Sequence, residues 1–181
     1  SGQWSHSDGL KLPSVGDLDG DGKPELVLLE SKQPMVVKVL RGSTGDELWK
    51  WNGAVPPNFA DPCLAIVADA GSVARVRRCV AVTINETGNQ WELVLLDHAG
   101  QVAERIPYGT NQIWSHDLDG DGGEELVRFL DTKLTATHGL NDTLWTWSPP
   151  VGRYAWVSRF DRAADGRVIV GLTSDDAIVL L

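Results

Sequence analysis

A nine-residue acidic stretch occurs twice in this chain, as DLDGDGKPE from Asp17 to Glu25 and as DLDGDGGEE from Asp117 to Glu125. Each copy carries carboxylates at positions 1, 3, 5 and 9 and glycines at positions 4 and 6. Each then runs into a short apolar stretch, Leu26-Val27-Leu28-Leu29 or Leu126-Val127-Arg128-Phe129, of strand length. A loop-then-strand unit repeated at two distant points constrains the fold strongly. The chain must be built from equivalent β units.

The acid spacing has its own chemistry. A calcium ion asks for six to eight oxygen ligands at about 2.3–2.6 Å, and a short loop supplies them only by closing tightly around the ion. Carboxylates at alternate positions can converge, while Gly20 and Gly22, or Gly120 and Gly122, let the backbone turn between them. The candidate ligands are therefore Asp17, Asp19, Asp21 and Glu25 in one loop and Asp117, Asp119, Asp121 and Glu125 in the other. An EF-hand opens on a similar pattern but needs a glutamate at position 12, where this chain has Leu28 and Arg128. The strand-like exit also excludes the helix that an EF-hand requires.

Anchored on the first aspartate of the loop, the chain divides into four units, at Asp17, a degenerate Asp69, Asp117 and a degenerate Asp161. A period of about 44–52 residues with short strands and Gly-bearing turns is that of β-propeller blades, each a four-stranded antiparallel sheet. The predicted strands of the first unit are Leu12–Val15, Leu26–Leu29, Val36–Leu40 and Glu47–Trp51. The second reads Leu64–Val67, Cys79–Ile84, Trp91–Leu96 and Val102–Ile106; the third reads Gln112–Ser115, Leu126–Phe129, Lys133–Thr137 and Thr143–Trp147. The fourth offers three, Ala155–Arg159, Val168–Gly171 and Ala177–Leu181.

The strand missing from the fourth unit has a candidate at the other end of the chain. Ser1-Gly2-Gln3-Trp4 aligns with Ala99-Gly100-Gln101-Val102, and Trp4 matches the tryptophans of the outer strands. The expected architecture is a single all-β domain over residues 1–181 with blades at about 12–51, 63–107, 112–147 and 154–181 plus 1–6. The N-terminal strand would close the ring and remove an exposed sheet edge. A closed four-blade monomer, a two-chain eight-blade ring and a piece of a larger propeller all fit this alignment.

On these loops and repeats the chain resembles the FG-GAP and VCBS calcium-binding propeller repeats, the type found in integrin α-subunits. The signature D-x-D-G-D-G-x-x-[DE]-L is matched by Asp17–Leu26 and by Asp117–Leu126. The resemblance implies two calcium ions per chain, with the backbone carbonyls of Lys23 and Gly123 joining the carboxylates as ligands. Family members often carry Asp at position 9, where this chain has Glu25 and Glu125. Asp69 and Asp161 lack most of the acids, and no calcium is expected there. A weaker resemblance links Val39–Trp51, VLRGSTGDELWKW, to the structural repeat of quinoprotein propellers, without a cofactor set.

The remaining features set the function class. A net charge of −9 and no dense basic region argue against nucleic acid, and Arg75 to Arg78 reads as a solvated loop. No apolar run approaches the roughly 20 residues that span a bilayer, so no membrane insertion is expected. The sequence shows no signal peptide or targeting motif and opens on Ser1-Gly2, as a trimmed chain does. Cys63 and Cys79 begin successive antiparallel strands, which separates them too far for a disulfide and predicts two buried thiols.

Of the eight tryptophans, Trp49, Trp51, Trp145 and Trp147 fall on outer strands, where large rings pack between blades. Trp114 and Trp156 sit on first strands near a loop, the place for stacking on sugar. The four histidines are scattered: His116 abuts Asp117 where the first loop has Gly16, and His6, His98 and His138 read as solvated turn residues. No catalytic motif is present. The reading is a non-enzymatic, calcium-stabilised propeller, monomer or homodimer, acting outside the cytoplasm as an extracellular, periplasmic or cell-surface module for a protein or glycan ligand. The alternative is a carbohydrate-binding propeller or accessory domain of a polysaccharide-active enzyme.

Overall fold

The structure, a computed structural model, describes residues 14–30, 34–53, 64–68, 78–85, 90–108, 112–120, 123–130, 133–148, 157–162, 168–172 and 177–180. These residues form only β-strands and turns. The first sheet holds β1 (Ser14–Gly16), β2 (Glu25–Glu30), β3 (Val36–Arg41) and β4 (Glu47–Asn52), paired antiparallel in chain order. The second holds β5 (Leu64–Ala68), β6 (Arg78–Ile84), β7 (Trp91–Leu96) and β8 (Val102–Tyr108) in the same manner. The third repeats it with β9 (Ile113–His116), β10 (Glu125–Leu130), β11 (Lys133–His138) and β12 (Asp142–Trp147). A fourth sheet contains β13 (Val157–Arg162), β14 (Val168–Leu172) and β15 (Ala177–Leu180).

The sheets stack because their middle strands are apolar on both faces. In β6 every residue from Cys79 to Ile84 is buried, and the strand period of two divides them between neighbours. Val80, Val82 and Ile84 enter a cluster with Val27, Leu29, Val37 and Val39 of the first sheet. Cys79 and Ala81 enter another cluster, with Ile113 and Leu126 of the third sheet. The second sheet is thus packed between the first and the third. The first strands line up along one side, β1 beside β5 and β5 beside β9.

The outer strands show the complementary pattern. Along β4, Leu48 and Lys50 are exposed while Trp49 and Trp51 turn inward onto the first cluster. A Cβ added at Gly100, in the turn before β8, would meet the Trp49 ring at 2.6 Å, so that ring reaches across to the second sheet. Trp145 and Trp147 of β12 pack on the cluster of Leu118, Val127, Leu134 and Ala136. Trp49 and Trp51 thus seat the first sheet on the second, as expected of outer-strand tryptophans, whereas Trp145 and Trp147 pack on residues of their own sheet. A register shift also recurs between third and fourth strands, at Val39/Leu40, Leu95/Leu96 and Ala136/Thr137. Such a bulge, kept at the same place in three sheets, marks them as copies of one unit.

The expected strand near Trp4 lies outside the described residues, and so do Cys63, Asp69 and Trp156. Cys79 stands opposite Val67 in the β5–β6 register, four residues along from position 63. It is a free, buried thiol, and burial pushes its pKa up to about 12. The reading of Arg75 to Arg78 as solvated needs correction at Arg78, which begins β6 and is half-buried; positions 75–77 lie outside the described residues.

Candidate metal loops

Each acidic loop joins the first strand of its sheet to the second, β1 to β2 and β9 to β10. The loop closes through its own carboxylates, which accept backbone N–H groups and hold the turn. In the first loop Asp17 accepts from Gly20 at 2.8 Å through one oxygen and from Gly22 at 3.1 Å through the other. Asp19 accepts from the Asp21 N–H at 3.0 Å. The glycine positions are required by the backbone, since Gly20 and Gly22 have φ of 80° and 83°, where a side chain is strained.

The glutamate at position 9 is the anchor of both loops. Glu25 is 3 % exposed and its Oε2 accepts the Leu18 N–H at 2.8 Å; Glu125 is 1 % exposed and accepts the Leu118 N–H at 2.6 Å. The leucine at position 2 is itself buried, so each loop is pinned to its sheet by an apolar side chain and a charge-assisted hydrogen bond.

Asp17, Asp19 and Glu25 are brought together, each offering one oxygen within 4.8 Å of the others. Asp21 stands apart from that group, its carboxylate accepting the Lys23 N–H at 2.8 Å with the Lys23 ammonium 3.6 Å away. Lys23 itself is exposed. In the second loop Asp117 accepts the Gly120 N–H at 2.6 Å, matching Asp17, and Gly123 is half-buried. Asp121 lies outside the described residues.

The second loop gathers a different set, Asp119, Glu125 and His138. His138 ends β11, and its ring lies between the two carboxylates, Nε2 3.3 Å from Asp119 Oδ2 and Nδ1 3.1 Å from Glu125 Oε1. The expectation of a solvated turn histidine was wrong here, for a reason of register. Strands β10 and β11 pair from Leu130↔Lys133 to Leu126↔Thr137, and one further step sets Glu125 opposite His138. In the first sheet the same position opposite Glu25 is Arg41. The pairing of β10 with β11 carries that signal, because counting outward from Leu130↔Lys133 fixes the partners. His116 pairs with Glu125 from the other side, in β9, but stands outside the group.

Burial raises the Glu125 pKa, and the nearby Asp119 carboxylate raises it further; the Leu118 N–H and His138 act against them. Arg78 ties the two loops together. Its Nη1 donates to the Asp17 carbonyl at 2.7 Å, and its Nε stands 3.6 Å from Glu124 Oε2. Trp114, a candidate sugar platform, is half-buried against the third sheet's core and meets Phe129 edge-on, with centroids 6.5 Å apart. That commits part of the ring to packing.

No protein-family model matches the chain, and no curated protein matches it. Among solved structures it is similar to a protein of unknown function from Bacteroides caccae, with a TM-score of 0.53 and 13 % identity over 98 % of this chain and 59 % of that one. It is also similar to the Dos1 propeller, with a TM-score of 0.54 and 11 % identity over 94 % of this chain and 42 % of that one. The chain spans about half the length of these relatives in shape. At such identities the likeness concerns the fold, which is a β-propeller of antiparallel sheets.

Proposed function

We propose that the protein is a calcium-stabilised, non-enzymatic propeller module of the FG-GAP and VCBS kind that works outside the cytoplasm, presenting a rigid surface to a protein or glycan. The observation that carries this reading is the convergence of Asp17, Asp19 and Glu25, whose oxygens lie within 4.8 Å of one another on a loop with two left-handed glycines. The donor set fits calcium, a hard cation that takes carboxylate oxygens and tolerates irregular geometry. Asp17, Asp19 and Glu25 would hold the ion, with Asp21 joining on release from Lys23. A bound ion neutralises carboxylates that otherwise repel across a few ångströms.

The role follows from placement. Each loop fastens the first strand of a sheet to the second, so an ion there ties β1 to β2, or β9 to β10. In the proposed ring of four blades these strands surround the axis, and a strand near Trp4 completes the fourth blade. Extracellular calcium modules bind at roughly 10⁻⁴–10⁻³ M. Free calcium at ten times Kd stabilises the folded state by about 1.4 kcal/mol per site, a contribution present where calcium is millimolar and lost in a low-calcium cytosol.

The direct test is equilibrium dialysis of chelator-stripped protein against calcium. Binding in the sub-millimolar to millimolar range, lost from the first loop in Asp19→Asn, is the expected result. No saturable binding by the wild-type chain would remove the basis of the reading.

A further inference from the structure

The His138 imidazole beside the second loop is the feature that calcium coordination leaves unused. Calcium sites are built from oxygen, whereas imidazole nitrogen suits zinc, copper, nickel and iron. The ring is already held. Glu125 is 1 % exposed, its Oε2 is fixed by the Leu118 N–H, and its Oε1 stands 3.1 Å from His138 Nδ1. A carboxylate at that distance accepts the Nδ1–H and leaves the Nε2 lone pair pointing away from it, the arrangement that orients metal-binding histidines. Nε2 points at Asp119 Oδ2, 3.3 Å away, on the exposed part of the loop. Two donors on one tetrahedral cation with bonds of about 2.0–2.1 Å stand about 3.3 Å apart.

We propose that the second loop is a site for a zinc-class divalent cation, ligated by Asp119 and His138 Nε2 and oriented by Glu125. This rests on the reading of the acidic loops as cation sites and changes which cation the second one prefers. The remaining coordination falls to water. The first loop is the internal control, because its group holds only carboxylates and the residue opposite Glu25 is Arg41. Selectivity thus comes from one side chain on a strand outside the loop. The chain carries two metal sites of one ancestry and two chemistries.

The experiment is a zinc chloride titration of the full chain kept in excess calcium, by calorimetry with a competing chelator. The expected result is one zinc per chain, weakened more than about 100-fold by His138→Ala and about 10–100-fold by Glu125→Gln. Cobalt(II) provides a readout on the wild-type chain alone, tetrahedral visible bands supporting the site and an octahedral spectrum overturning it. Zinc binding that is absent, or equally tight in His138→Ala, overturns the proposal. Calcium stabilisation with no His138-dependent zinc binding sinks this inference and leaves the module reading intact. Zinc bound through His138 in a chain that ignores calcium supports the inference and removes the calcium reading instead.

Discussion

The two acidic loops share their acid spacing and their anchoring glutamate, yet they gather different groups. The first collects Asp17, Asp19 and Glu25; the second collects Asp119, Glu125 and His138. The imidazole of the second group is not written in its loop sequence. It comes from the third strand, whose last residue stands opposite the anchoring glutamate in both sheets and is His138 beside Glu125 but Arg41 beside Glu25. A metal motif read along the chain is therefore incomplete in a β-sheet. The side chains gathered around it also depend on strand register.

The largest expected effect that sharpens this contrast is at the anchors. Glu25→Ala leaves the buried Leu18 N–H without its acceptor, an expected loss of about 1–3 kcal/mol in urea unfolding of metal-free protein. Glu125→Gln keeps an acceptor for Leu118 and removes a carboxylate whose charge is disfavoured by burial and by Asp119. Because the folded pKa is raised, wild-type stability from this group is full at acid pH and falls as pH rises through the folded value. The advantage of Glu125→Gln over metal-free wild type should then grow from the ordinary carboxylate range upward and level off. Unfolding curves at several pH values check this, and a pH-independent difference would contradict it.

Next in size is the link between the loops. Arg78→Gln removes a charge-assisted bond to the Asp17 carbonyl and leaves Glu124 without its cation, an expected cost of about 1–3 kcal/mol. It should also weaken calcium binding at the first loop, read by dialysis. Cys79, the next residue along β6, reports on the same link without any substitution. With its thiol buried and its pKa near 12, it should resist alkylation at neutral pH and react faster once metal is stripped. The smallest effect is expected at Lys23→Ala, since both partners of the Lys23–Asp21 pair are substantially exposed; the change should stay below about 1 kcal/mol.

Much of the fold was legible in the sequence, because period-two patterning and Gly-bearing turns are local signals. Val36–Leu40 was expected and β3 spans Val36–Arg41; Trp91–Leu96 was expected and β7 has those bounds. Asp17, Asp19 and Glu25 were likewise written in the motif. What was hidden depends on other parts of the fold. His138 acts through strand pairing, and Arg78 through a neighbouring sheet that sets its guanidinium against Asp17. Asp21 shows the converse, a residue matching the motif whose carboxylate is turned to Lys23 by local hydrogen bonding.

The account rests above all on the first acidic loop being a stabilising calcium site. The measurement that tests it most directly is the melting temperature of chelator-stripped protein against free calcium, for wild type and Asp19→Asn. Above Kd each tenfold rise in calcium adds about 1.4 kcal/mol per site, which for a chain of this size raises the melting temperature by about 3–6 °C. A wild-type melting temperature that climbs in this way, with a smaller slope in Asp19→Asn, is the predicted result. A flat wild-type profile across millimolar calcium would contradict the account.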